Sequence, residues 1–324
     1  MPTVQDRSFA AFVVDAVFLG ETAAFALGDG SVRLLAGETE TRVPVHAGAI
    51  LSTARSVDGR RLVTGGDDGL VAATDGAGVV ARIAERPRKW IDHVAAGPGD
   101  TIAFATGREV AVRFADGRER SLDLPRAAGG IAFAPKGTRL AIARYDGVTL
   151  WWPATEAAPT SLEWKGAHLA VLFSPDGRYV VTAMQDNALH GWRLADGKDM
   201  RMSGYPAKPR SLSWSAKGRF LATSGANAAV LWPFHAKDGP MGKPPLQLGA
   251  REVLATRVAC HPKDEMVAIG YQDGMILAVR FADAEEAVMR RPGGGPVSAL
   301  AWDEAGRRLA FGTEAGAGGV VAVG

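Results

Sequence analysis

Residues 173 to 192 read FSPDGRYVVTAMQDNALHGW: a tight turn at Ser174-Pro175-Asp176-Gly177, an apolar run, a second polar turn at Gln185-Asp186-Asn187, and a run that ends at Trp192. Proline supplies φ near −65° at the second turn position, and glycine accepts the backbone conformation that other residues avoid at its end. Relatives of this turn recur along the 324-residue chain: Ser56-Val57-Asp58-Gly59, Gly97-Pro98-Gly99-Asp100, Ala134-Pro135-Lys136-Gly137, Ser215-Ala216-Lys217-Gly218, His261-Pro262-Lys263-Asp264 and Asp303-Glu304-Ala305-Gly306, with a reduced copy at Leu19-Gly20-Glu21-Thr22. Counted from the last residue of each turn, with Gly20 for the first, the positions are 20, 59, 100, 137, 177, 218, 264 and 306. One period of about forty residues therefore runs through the chain.

Each turn is followed by an apolar strand such as RRLVTGG, TRLAIAR, RYVVTAM, RFLATSG or RRLAFGT. A short polar turn comes next, among them Asp29-Gly30, Asp67-Asp68-Gly69, Asp146-Gly147, Asp186-Asn187 and Asp273-Gly274, and these tolerate the positive φ of a hairpin reversal. A third strand then ends near an aromatic residue in several copies (Phe114, Trp152, Trp192, Trp232), and a weaker fourth strand follows, as in GRERSLDL or GKDMRMS. Four short strands per repeat, with no helical periodicity between them, predict radially arranged antiparallel sheets that bury their faces only against neighbours.

These residues resemble the WD-repeat family of β-propellers, over essentially the whole chain. In the second copy, His46 matches the family's Gly-His histidine, Thr64 its strand Ser/Thr, Asp68 its turn aspartate and Thr74-Asp75 its Trp-Asp pair, without the tryptophan. The fifth copy has Thr182, Asp186 and Trp192 in the matching places but Trp164 where the histidine would stand, so no copy holds the full His, Ser/Thr, Asp, Trp set. The resemblance implies that these positions, and Trp232, are structural and tie the strands of one blade together.

The expected fold is all-β: one propeller domain over residues 1–324, built of four-stranded antiparallel blades, eight in number with seven as the alternative. After Gly306 only RRLAFGT and GGVVAVG remain, one outer strand short of a blade. The N-terminal PTVQDRS is expected to complete that blade and so remove an open sheet edge.

Composition narrows the function classes. A net charge of +2, from 37 basic and 35 acidic residues, gives no whole-chain argument for nucleic acid or membrane as partner. The single cysteine, Cys260, excludes an intrachain disulfide and suits a reducing compartment, with the thiol acting as a small hydrophobe in a strand. The N-terminus begins without a basic cluster and Asp15 interrupts its apolar run; no apolar run approaches the roughly 18 residues of a membrane helix. A cytoplasmic protein is expected.

No catalytic constellation stands out. The six histidines, at 46, 93, 168, 190, 235 and 261, show no metal-ligand spacing, and His261, replacing a turn serine, is expected at the surface. There is no nucleophile elbow, phosphate loop or dinucleotide fingerprint, and Asp29, Asp58, Asp68, Asp176 and Asp186 are each explained by turn geometry. No metal and no cofactor is expected. Trp151, Trp152, Trp192, Trp214, Trp232 and Trp302 are expected to fill the wedges between sheets, whereas Trp90 follows Arg86-Pro87-Arg88-Lys89 in a connection between blades and is expected to be partly exposed.

Such connections share one face in propellers, which in the resembled family usually receives partners. Here they carry Arg86, Arg88, Lys89, Trp90, Lys208, Arg210, Arg251, Arg290 and Arg291, with His46 nearby. The expectation is a non-enzymatic scaffold that docks another protein or an acidic peptide and is monomeric outside its complex. The alternatives are an enzyme with a site at the central channel, or nucleic-acid binding through phosphate contacts and aromatic stacking.

Overall fold

The computed structural model describes residues 3–323, so Pro2 of the expected closing strand lies outside the described residues. These residues form thirty strands and no helix. The repeated turn explains the regularity. Ser56 Oγ donates to Asp58 at 2.6 Å and accepts the Arg61 N–H at 2.9 Å, while the Gly59 N–H closes the turn on the Ser56 carbonyl. Ser174, Asp176 and Tyr179 repeat the arrangement. The backbone bond across the turn, from the first turn residue to the residue at or just before the start of the next strand, recurs at Ser56, Gly97, Ala134, Ser174, Ser215, His261 and Asp303, always between 2.7 and 2.9 Å.

His261 corrects the surface expectation. It is buried, with Nδ1 accepting the Asp264 N–H at 2.9 Å and Nε2 2.9 Å from the Gly306 carbonyl. The imidazole thus does the work of the serine hydroxyl it replaces, and its size takes it into the core beside Trp302, 4.9 Å away ring to ring.

The strands assemble into seven sheets, six of four strands and one of six, so the expectation of eight separate blades is corrected to the alternative of seven. All eight turns exist, but the repeats ending at Gly137 and Gly177 share the six-stranded sheet. The second polar turn of the former, at Asp146-Gly147, is absorbed in the continuous strand Leu140–Trp151, and Thr160–Phe173 runs on from one repeat into the next. The first long strand changes partner between Ala143 and Tyr145 and the second between Ala167 and His168, each next to a register shift, at Tyr145/Gly147 and His168/Ala170. At the other end of the chain, Thr3–Ser8 pairs antiparallel with Ala317–Ala322 and completes the last blade, as expected.

Contacts divide the chain into two compact units, Val43–Ser203 and Met1–Arg42 with Gly204–Gly324. In the first, one core, with Val63, Val94, Ile102 and Phe104, lies between successive sheets, and another, with Phe173, Val180, Leu150 and Trp192, joins the two repeats of the six-stranded sheet. In the second, Tyr271, Leu231, Ile269 and Phe281 form one core and Phe9, Phe18, Phe25 and Leu35 another. Burying each such side chain stabilises by about 1.5–3 kcal/mol.

Candidate partner-binding edge

Within Val43–Ser203, the second repeat fixes one edge of the sheets through a buried polar set. His46 Nδ1 donates to Asp68 at 3.0 Å, which leaves Nε2 to accept from the Thr64 hydroxyl at 2.8 Å. Burial pushes the Asp68 carboxyl up, but bonds from His46, Leu70 N–H and Ala47 N–H outweigh it and hold its pKa below the ordinary value. The His46 side chain is fully enclosed, so it supports the edge from inside and does not join the partner-contacting surface expected of it.

The turn above that set anchors the next connection. Arg86 N–H donates to the Gly69 carbonyl at 2.8 Å and Ile91 N–H to the Gly66 carbonyl at 3.0 Å, and Ile91 is buried. Gly69 has φ +82°, and a Cβ there would collide with the Arg86 carbonyl oxygen. The loop between these two anchors is a turn in which Arg88 takes the left-handed φ of 63°. Arg86 lies over the Phe104 ring and pairs with Glu109 and Glu119, and Lys89 pairs with Glu109 at 2.9 Å. The Lys89 ammonium and the Arg86 guanidinium keep the Glu109 carboxyl below its usual range.

Arg88, exposed and with no ion pair among the described residues, and Trp90, 65% exposed, stay open to solvent beside the ion-paired but also exposed Lys89. In the neighbouring strand Leu51 is exposed and Ser52 reaches the Ile91 carbonyl.

In the other unit two of the five expected basic residues are engaged. Arg251 pairs with Glu286, and Arg290 lies over the Phe311 ring while donating to the Gly274 and Gly293 carbonyls. Arg210 and Arg291 are exposed, Lys208 is half-buried, and none of the three has an ion pair among the described residues. The structure therefore keeps Arg86, Arg88, Lys89 and Trp90 in one loop, gives Arg251 and Arg290 intramolecular partners, and leaves Arg210 and Arg291 exposed. Among the described residues no three His, Cys, Asp or Glu side chains come together to hold a metal ion.

The profile of the WD domain, G-beta repeat, matches residues 37–72, the segment that holds His46, Thr64 and Asp68. The match supports a WD-repeat family for the chain. It is 28% identical over 185 residues to telomerase protein component 1 of Rattus norvegicus, a match covering 55% of this chain and 7% of that protein. It is 24% identical over 197 residues to WD repeat-containing protein 55 of Rattus norvegicus and of Homo sapiens, covering 58% of this chain and 50% of those proteins. The chain thus matches about half the length of one relative and a small part of the other. WD-repeat propellers are generally non-enzymatic scaffolds for protein interaction.

Knowing the WD-repeat pattern makes two further sets visible that residue matching alone missed. In the sixth repeat Tyr205 stands eighteen residues before Thr223, as His46 stands before Thr64. Its hydroxyl links a one-way donor chain: Trp232 Nε1–H to Tyr205 at 2.5 Å, Tyr205 to Thr223 at 2.7 Å, Thr223 to the Val230 carbonyl at 3.2 Å. Burial pushes the Tyr205 phenol up to about 12. Tyr205→Phe leaves the buried Trp232 N–H without an acceptor and is expected to cost about 1–3 kcal/mol, measurable as a lower urea midpoint at unchanged slope; an unchanged midpoint would mean the chain contributes nothing.

In the fifth repeat Trp164, again eighteen residues before its threonine, does not replace the histidine's bonds. His168 does so: its Nε2 donates to the Trp164 carbonyl at 3.0 Å, and its Nδ1 accepts from the Thr182 hydroxyl at 2.7 Å. Trp164 instead stacks on His190 at 4.0 Å, and Asp186, lacking a histidine partner, pairs with Arg201 at 2.9 Å. The eighteen-residue spacing was the signal available in the sequence for Tyr205; no spacing pointed to His168.

Proposed function

We propose that the chain is a non-enzymatic, cytoplasmic scaffold, monomeric outside its complex, whose Arg86–Trp90 edge receives a partner protein through an apolar side chain flanked by a carboxylate. The observation that carries this reading is the pairing of an exposed tryptophan with an arginine free of ion pairs on a loop pinned at both ends. Tryptophan and arginine are the residue types that dominate binding energy at protein interfaces, and a loop already held in place loses little further entropy on docking. Arg88 supplies the charge that selects an acidic neighbour. Telomerase protein component 1 is by its name a component of a larger entity, which agrees with a scaffold role for a relative.

Tagged protein is used to capture partners from native extract, with and without nuclease, alongside Arg88→Glu/Trp90→Ala. A protein retained stoichiometrically through nuclease treatment, and bound at least about thirtyfold more weakly by the double variant, is the expected result. Capture that is equal for both proteins, or only nuclease-sensitive, overturns the reading.

A further inference from the structure

Where two repeats meet near the repeated turns, a residue at or next to the end of a repeat's first strand faces the turn of the repeat before it. In most of these wedges that residue is aromatic. Phe133 lies against Gly97, Phe173 joins the core containing Ala134, and the Trp302 ring sits 4.9 Å from His261. Phe18 of the first repeat lies against the last, under Arg308. Between the sixth and seventh repeats the position is Cys260, and there Phe220 and Phe281, 5.6 Å apart, fill the wedge instead.

Between the second and third repeats the position is Ala96, paired with Ile102 as Phe133 is paired with Leu140 and Phe173 with Val180. The facing residue is Ala73. A cleft of about 470 Å³ remains, floored by Val63, Ala73, Ala96 and Ile102 and opening past Ser56 and Arg61.

Arg61 gives the cleft its chemistry. It opens the second strand of its repeat, as Arg308 does in its own, and Arg139 stands at the same place just before Leu140. Arg139 lies over the Phe173 ring at 5.2 Å and Arg308 over the Phe18 ring at 4.9 Å, each capping the aromatic contributed by the following repeat. Arg61 has the same place and no ring beneath it, because the following repeat offers Ala96; its guanidinium turns to Asp100 at the rim. The vacancy thus has the apolar floor, the size and the cationic cap of a ring site. An apolar cavity of only about 150 Å³ already takes up benzene, and a guanidinium over a ring face adds favourable electrostatics.

We propose that this wedge is a binding slot for an aromatic side chain of a partner protein, seated on Ala73 and Ala96 and capped by Arg61. It lies at the end of the strands away from the Arg86–Trp90 loop, since Arg61–Gly66 begins at the slot and ends at that loop's anchor. The partner-protein reading supplies only the source of the ring; the slot itself is tested without any partner.

The full chain with 13C-labelled alanine methyls is titrated with N-acetyl-L-phenylalaninamide while the Ala73 and Ala96 signals are followed by NMR. Saturable shifts are expected, with none from N-acetyl-L-alaninamide. Ala96→Phe, which fills the slot from within, is expected to weaken the Ala73 response at least tenfold, and Arg61→Gln about threefold. Arg61→Gln keeps the test decisive if Ala96→Phe does not fold. Absence of a saturable response, an unchanged response in both variants, or uptake of free indole with exclusion of the blocked phenylalanine would each overturn the proposal. Loss of capture in Arg88→Glu/Trp90→Ala leaves these shifts in place, so failure of one reading is distinguishable from failure of the other.

Discussion

Trp192→Ala lowers the stability of the fold by about 3–5 kcal/mol, the range for emptying a tryptophan site in a core. Trp192 is buried among Phe173, Leu150 and Val180, stands edge-on to His190 at 4.7 Å, and lies 5.7 Å from His168. Removing it opens a void shared by two repeats of the six-stranded sheet, whose continuous strands cannot close independently around it. Urea unfolding followed by circular dichroism reads the change as a lower midpoint; a loss under about 1 kcal/mol would mean the surrounding side chains collapse into the space.

Acid is expected to act through the same cluster. His190 is buried between Trp164 and Trp192, and burial pushes its pKa down to about 4. Asp199, 3.3 Å from Nε2, and Asp186 favour the cation, whereas His168 and Arg201 oppose it. The ordinary value in an unfolded chain is about 6.5. Between the two values the unfolded chain takes up a proton that the folded site refuses, so stability is complete above about pH 6.5 and falls as pH drops towards 4. The loss is on the order of 3 kcal/mol. The pKa values of His168 and His93 are also lowered by burial and act in the same direction. Urea midpoints at pH 7 and pH 4.5 are compared for the wild type and His190→Phe. A smaller pH loss in the variant is expected, and an equal loss would place the acid sensitivity elsewhere.

The architecture was legible in the sequence because it is written in turn chemistry. Ser-x-Asp-Gly turns and Asp-Gly reversals are local devices, and they occur in the structure where their residues stand. The sheet count was less legible, since whether Asp146-Gly147 breaks a strand or is absorbed in one depends on how neighbouring strands pair, which no local pattern encodes. The polar sets were legible where the residue type was kept, as at His46, and hidden where another residue took over the bond, as at Tyr205 and His168. The basic loops were legible as charge but not as availability: Glu109, Glu119 and Glu286, distant in sequence, engage Arg86, Lys89 and Arg251. The vacancy at Ala96 became visible only by comparing one wedge with the next.

Hydrogen–deuterium exchange of the chain alone and with its captured partner tests the scaffold reading most directly. Slower exchange is expected at Arg86, Arg88, Lys89 and Trp90 and in the strand Ile50–Arg55 beside them, with the second-repeat turn Asp67–Gly69 following because the loop is anchored to it. Protection absent from the Arg86–Trp90 loop and confined to other parts of the chain would contradict the assignment of this edge as the docking surface.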